Sequence, residues 1–198
     1  MSTADQINLG RRRVLTAATS VIGGVGVAFA AVPFVAAWWP SERAQAAGAP
    51  VEVDISKLEP GARITVEWRG KPVWVIKRTE RMLEGLPAND ASLRDPKSAN
   101  EQQPAYAQNE HRSIKPEILV LVGICTHLGC SPTYRPEFAP DDLGADWRGG
   151  FFCPCHGSRF DMAGRVYQAV PAPLNLEVPP YMFLDDTRVL VGADSETA

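Results

Sequence analysis

Cys125-Thr126-His127-Leu128-Gly129-Cys130 and Cys153-Pro154-Cys155-His156-Gly157-Ser158 hold all four cysteines and two of the three histidines of this 198-residue chain. Ligand-type side chains gathered this closely point to a metal centre. The Cys-x-His and Cys-x-x-His separations let one thiolate and one imidazole from each loop converge within a tight turn. Two thiolates and two imidazoles suit a tetrahedral zinc ion, but zinc leaves two cysteines idle. A 2Fe-2S cluster with two thiolates on one iron and two imidazoles on the other takes the same donor set. It also leaves a pair of cysteines free to join in an oxidising compartment. Two disulfides without a metal would leave the paired histidines with no role.

Outward from the loops, each follows a hydrophobic run, Ile118 to Ile124 and Phe151-Phe152, so both are expected to emerge side by side from strand ends. Alternation places Val51, Val53 and Ile55 on one strand face and Ile64, Val66 and Trp68 on the next. Arg69-Gly70 predicts a turn into Val73-Trp74-Val75-Ile76, Ala163-Gly164 one between Arg159-Phe160-Asp161 and Val166-Tyr167, and Asp185-Asp186 one between Tyr181–Leu184 and Val189–Val191. Repeated hairpins predict a mainly β head at 51–198, an antiparallel sandwich or barrel, with a cluster-binding subdomain at about 118–180. Residues 78–116 read as a polar insertion with Pro87, Pro96 and Pro104 and a short helix near Thr79 to Leu86. His111 falls there and is expected as a surface residue. The head carries 16 basic and 21 acidic side chains, a net charge of −5, which speaks against nucleic acid or an anionic lipid surface as partner.

Val14 to Trp39 contains 26 residues and no charge, more than the roughly 20 that cross a bilayer as a helix. Residues 14–40 are therefore predicted as a transmembrane anchor, with Pro33, Gly23, Gly24 and Gly26 tolerated in lipid and Trp38 and Trp39 at the interface. Arg11, Arg12 and Arg13, opposed only by Asp5, place residues 1–13 in the cytoplasm and the head outside. Arg11-Arg12-Arg13-Val14-Leu15 is similar to a twin-arginine export signal, which carries folded domains across. Ala44-Gln45-Ala46 is similar to a signal-peptidase site, but the length of the apolar run argues for a retained anchor. Ser41 to Pro50, small and polar, reads as a flexible tether or weak helix.

Taken together these features resemble the Rieske iron-sulfur family, in the bacterial branch that serves ubiquinol-cytochrome c oxidoreductase, the cytochrome bc complex or complex III. The resemblance spans essentially the whole chain and rests on CTHLGC at 125–130, CPCHGS at 153–158, the segment Pro171-Ala172-Pro173-Leu174-Asn175-Leu176-Glu177-Val178-Pro179, and the anchor. It implies Cys125, His127, Cys153 and His156 as ligands of a Rieske 2Fe-2S cluster, and a disulfide between Cys130 and Cys155. It implies Pro171 to Pro173 as a third loop over the cluster, Leu128 as an apolar shield and Ser158 as a hydrogen-bond donor to a cluster sulfur. It further implies an electron-transfer subunit of a dimeric, proton-translocating complex in the bacterial inner membrane. There His156 would meet a membrane quinol in a pocket of cytochrome b. The second electron would go to a b haem, and the head would swing on its tether to a membrane-anchored c-type cytochrome in the periplasm.

Two residues depart from the family pattern. Phe160 stands where high-potential members usually have tyrosine, so one hydroxyl donor is missing and a lower potential is expected. Val170 stands where relatives commonly carry glycine, which bears on the flexibility of the proline loop. Phe160 also keeps open an exported Rieske subunit of an arsenite oxidase, and the ligand loops alone are shared with soluble Rieske ferredoxins. The proline segment and the apolar anchor argue against the first, and the anchor and the extra cysteine pair against the second.

Overall fold

The structure, a computed structural model, describes residues 8–194; residues 1–7, which include Asp5, and 195–198 lie outside the described residues. The chain divides into two compact units between Ala46 and Ala47.

In the N-terminal unit Leu9–Ala36 forms one 28-residue helix, α1, none of it buried. At about 1.5 Å per residue it is roughly 42 Å long, enough to span a hydrocarbon core of about 30 Å. It starts before the predicted span because Asn8 caps it, its Oδ1 accepting from the Arg11 N–H at 3.0 Å, and because arginine is a good helix former. Arg11 to Arg13 thus sit within the helix. It also ends sooner than predicted, at Ala36, leaving Trp38 and Trp39 exposed beyond it. No atom lies within 4 Å of where a Cβ would stand on Gly23, Gly24 or Gly26, so these positions are open to a close-packed helix. Glu42–Ala47 forms α2 inside the predicted tether, with Ser41 Oγ accepting from the Ala44 N–H at 3.2 Å. A helix of six residues is well below the roughly 12–15 that persist alone in water.

Among the described residues the head carries nine strands: β1 Val51–Asp54, β2 Arg63–Trp68, β3 Lys71–Lys77, β4 Ile118–Val122, β5 Thr133–Phe138, β6 Arg148–Phe152, β7 Arg159–Asp161, β8 Tyr181–Phe183 and β9 Arg188–Val191. They form three antiparallel sheets of three strands, ordered β1-β9-β8, β2-β3-β4 and β5-β6-β7. The predicted mainly β architecture is thereby observed. Arg69 and Gly70 make the two-residue β2–β3 turn with φ of +52° and +70°, the conformation that matches the twist of a tight hairpin. Val166-Tyr167 makes only isolated bridges, to Phe160 and Leu93, rather than a strand. β4 is buried at every position, as its unbroken Ile-Leu-Val-Leu-Val requires. The two ligand loops leave β4 and β6, so they come from different sheets.

The 78–116 insertion is built into the head rather than lying over it. It carries the short helices α3 Glu80–Glu84, capped by Thr79, and α4 Leu86–Asn89. Three buried arginines tie it to the cluster-binding half. Arg78 donates to the carbonyls of Pro116 (2.8 Å), His111 (2.9 Å) and Met162 (3.1 Å). Arg112 donates to Ala163 O at 3.1 Å and Leu176 O at 2.8 Å. Arg165 donates to Asp161 Oδ2, Asp90 Oδ1 and Leu86 O, each at 2.8 Å. Burial pulls the guanidinium groups of Arg78 and Arg112 down to about 10, so both stay charged at neutral pH. His111 is half-buried, with Nε2 3.2 Å from Glu110, rather than the plain surface residue expected. Its ring is held below the usual imidazole range by burial and then by Arg78.

Asp161 is fully buried, and its Oδ1 also accepts from the N–H groups of Ala163 and Arg165 at 2.9 and 2.8 Å. Removing one member of such a pair strands the other charge, at a cost of about 3–5 kcal/mol. Asp161→Asn is therefore expected to lower the stability of the detergent-solubilised chain by about that amount in urea unfolding; a loss under 1 kcal/mol would show that Arg165 is neutralised by Asp90 instead.

Candidate metal centre

The two ligand loops share one backbone frame. In each, the N–H of the first residue donates to the carbonyl of the sixth: Cys125 to Cys130 at 2.7 Å, Cys153 to Ser158 at 2.8 Å. In each, the N–H of the fifth residue, a glycine, donates to the carbonyl of the first: Gly129 to Cys125 at 3.0 Å, Gly157 to Cys153 at 2.9 Å. Gly129 and Gly157 take φ of +83° and +76°, the left-handed region that a side chain disfavours. The closed frame turns the first residue inward, so Cys125 and Cys153 are both buried and take no part in the disulfide. It turns the middle outward, so His127 is half-exposed and His156 exposed.

The geometry brings Cys125, Cys153, His127, His156 and Ser158 close to one another, with the Cys130–Cys155 pair joining the two loops. The imidazoles of His127 and His156 lie edge to face, centroids 4.8 Å apart and planes at 88°. Cys130 and Cys155 form the disulfide that the resemblance implied, joining the loops across 25 residues. The Cys125 thiol is pushed above its usual range, first by burial and further by the adjoining Cys153, against the His127 N–H and the Ser158 hydroxyl. Two thiols side by side in a buried place and two imidazoles side by side at the rim fit an iron-sulfur group with two sulfur and two nitrogen ligands. Among the described residues, the sulfurs of Cys130, Cys153 and Cys155 also lie within 4.8 Å of one another. Two of them are spent in the disulfide, so that trio is not a ligand set.

The proline loop is bound to both ligand loops. Thr126 Oγ1 donates to Leu174 O at 2.7 Å, and the Ala172 N–H donates to Ser158 Oγ at 3.0 Å. Pro171 and Pro173 face outward around buried Ala172. At Val170, Arg94 donates to the carbonyl at 3.1 Å, so the loop is tethered at its start. Leu128 is 71% exposed, and therefore does not pack into the head. Phe160 is fully buried and pairs with Phe151 across β6 and β7. Sequence reading missed Thr126 and Arg94. Thr126 carried one signal, its place inside a ligand loop; Arg94 carried none.

Residues 50–180 match the family described as the Rieske 2Fe-2S domain. Residues 1–41 match one described as "Ubiquitinol-cytochrome C reductase Fe-S subunit TAT signal". The ubiquinol-cytochrome c reductase iron-sulfur subunit of Allochromatium vinosum is 64% identical over 196 residues, covering 99% of this chain and 95% of that one. That of Rhodospirillum rubrum is 47% identical, covering 92% and 91%. A solved chain of a hyperthermophilic respiratory Complex III aligns over 89% of this chain and 98% of that one, at 26% identity and a TM-score of 0.49. By fold and site the molecule is a Rieske protein with the 2Fe-2S cofactor of its family. Within that family the chain belongs to the ubiquinol-cytochrome c reductase iron-sulfur subunits.

The disulfide closes a 25-residue separation, which in the chain-entropy picture stabilises by about 3–4 kcal/mol. Cys155→Ser is expected to lower the unfolding free energy by about that much and to speed loss of iron, followed as bleaching of the visible absorption on warming. An unchanged bleaching rate would show that the loops need no clamp.

Proposed function

We propose that Cys125, Cys153, His127 and His156 hold the cluster, and that the chain takes one electron from a membrane quinol and passes it to a c-type cytochrome. The observation that carries this reading is the gradient of exposure across the four residues, from buried Cys125 and Cys153 through half-exposed His127 to exposed His156. Buried thiolates need nearby cations, whereas an imidazole at the surface is placed to meet a substrate. When bound, the cluster supplies one-electron exchange at a potential within about −150 to +300 mV, high because neutral imidazoles replace two thiolates.

The chain's own residues position the reaction. His156 presents its ring at a loop tip, where it accepts a hydrogen bond from the quinol hydroxyl and holds the proton as the electron leaves. Exposed Leu128 seats against the apolar wall of the quinol pocket and excludes water. Ser158 keeps its hydroxyl beside Cys125, and a donor to sulfur favours the reduced state. The Pro171 to Pro173 loop shields the other side. The partners are cytochrome b, a membrane-anchored c-type cytochrome and the bilayer, within a dimeric, proton-translocating quinol-cytochrome c reductase of the bacterial inner membrane. α1 is the anchor, with its N-terminus cytoplasmic and the head periplasmic, and residues 41–50 are the tether on which the head moves. The name and full-length coverage of the Allochromatium relative support this reading, as does the export-signal match. Phe160 alone favours an arsenite oxidase partner, and only the shared ligand loops favour a ferredoxin.

Electron paramagnetic resonance of reduced membranes tests it. A Rieske signal whose shape changes when a quinol-pocket inhibitor is added is expected; one indifferent to pocket occupancy would move the function to another donor. Phe160→Tyr adds a hydroxyl at a fully buried position. If that donor to a charged acceptor is worth about 1.5–3 kcal/mol, the midpoint potential rises by roughly 60–130 mV. An unchanged potential in a redox titration would remove the hydroxyl as the source of the difference.

A further inference from the structure

Gly123 and Phe151 each stand two residues ahead of a cysteine of the site, Cys125 and Cys153, and one side chain touches both. Trp74, in the middle of β3 and 2% exposed, stacks on Phe151 with ring centroids 5.1 Å apart and planes at 15°. Its indole also runs over Gly123, where a Cβ would lie 2.3 Å from Cε2 and 2.5 Å from Cζ2. Gly123 does not have a positive φ, so its backbone would accept any residue. It is the indole that leaves no room for a side chain. The Gly123 N–H donates to Pro72 O at 2.7 Å, which holds the exit of β4 down on β3. Arg63 lies over the Trp74 ring at 4.9 Å and over that of Tyr134 at 5.7 Å, and Tyr134 packs against Phe151 at 5.7 Å. The ring is thus confined.

The disulfide joins the ligand loops directly, through Cys130 and Cys155. The proline loop links them a second time, through Thr126 and Ser158. Trp74 adds a contact elsewhere, at the residues that lead into the two loops.

We infer that Trp74 is a positioning residue for the metal centre: its indole is the spacer between the two loop stems, and so sets the separation of Cys125 and His127 from Cys153 and His156. This rests on the ligand assignment proposed above. Trp74 acts through Gly123 and Phe151.

The head contains its own control. Trp68 also lies over a glycine, Gly192, where a Cβ would meet Nε1 at 2.2 Å; Gly192 differs in having φ of +98°, which adds backbone strain to any substitution, but it follows β9 and leads to no ligand loop. The full chain in its native membranes is compared as Gly123→Ala, Trp74→Phe, Trp74→Leu, the double variant Gly123→Ala with Trp74→Phe, and Gly192→Ala. The readouts are melting temperature and the electron paramagnetic resonance spectrum after dithionite reduction. Gly123→Ala and Trp74→Leu are expected to shift and broaden the signal as well as lower the melting temperature. The double variant should return toward the wild-type spectrum, because the smaller phenyl ring leaves space for the added methyl. Gly192→Ala should lower the melting temperature and leave the spectrum unchanged. If Gly123→Ala does not accumulate, the two Trp74 variants, which remove atoms rather than add them, carry the same test. Lower melting temperatures with wild-type spectra at positions 74 and 123 would overturn the inference and make Trp74 ordinary core. No Rieske signal from the wild-type chain would instead overturn the ligand assignment itself.

Discussion

A guanidinium group taken out of water needs oxygen acceptors for its N–H groups, and three such groups organise this head, though Arg112 Nε has no partner among the described residues. Arg78, Arg112 and Arg165 are almost wholly buried, and their acceptors come from segments far apart in the sequence: Pro116 and Leu86 in the insertion, Met162 and Ala163 in the turn after β7, and Leu176 in the proline segment. Among the described residues, only Asp161 offers them a fully buried counter-charge. Most of the compensation therefore comes from carbonyl dipoles, which are directional and hold the chain in one arrangement. The cluster-binding half cannot loosen without stranding these charges.

On this frame sits a site built twice from one template. Each six-residue loop closes on itself with the same two hydrogen bonds and the same left-handed glycine. What differs is where the histidine falls, third in one loop and fourth in the other, and the sixth residue, a cysteine in the first and Ser158 in the second. Those differences give one loop a half-exposed imidazole and the other an exposed one, and put a hydroxyl beside the buried thiols. Thr126 and Ser158 then bind the proline loop over the pair. The result is rigid around sulfur and open around nitrogen, the arrangement a centre needs if it is to exchange electrons through a surface imidazole.

Much of this was legible beforehand because it is local. Metal donors at short spacings, the Arg69-Gly70 turn, the alternation of β1 and β2 and the uncharged run of α1 are each contained in a few consecutive residues. The insertion was not legible. Arg112 reads as one more charge in a polar segment, and its acceptors at Ala163 and Leu176 lie 51 and 64 residues away. His111 carries a ligand-type side chain yet faces Glu110 rather than a thiol. Trp74 and Gly123 look unremarkable in two strands, and only their contact explains why no side chain stands at position 123. The ends of α1 shifted for a smaller reason, since a cap and a good helix former act over one turn and hydrophobic content does not register them.

By itself the sequence determined the candidate donor set, the two cysteine-histidine turns, the apolar N-terminal helix and the mainly β head, because these follow from side-chain chemistry and backbone preference over short stretches. The tertiary structure alone decided that the loops issue from separate sheets, that the insertion is sewn into the core, and that Leu128 and His156 face outward while Cys125 and Cys153 do not. Burial is a property of everything packed around a residue, and for these residues the surroundings come from segments dozens of positions away.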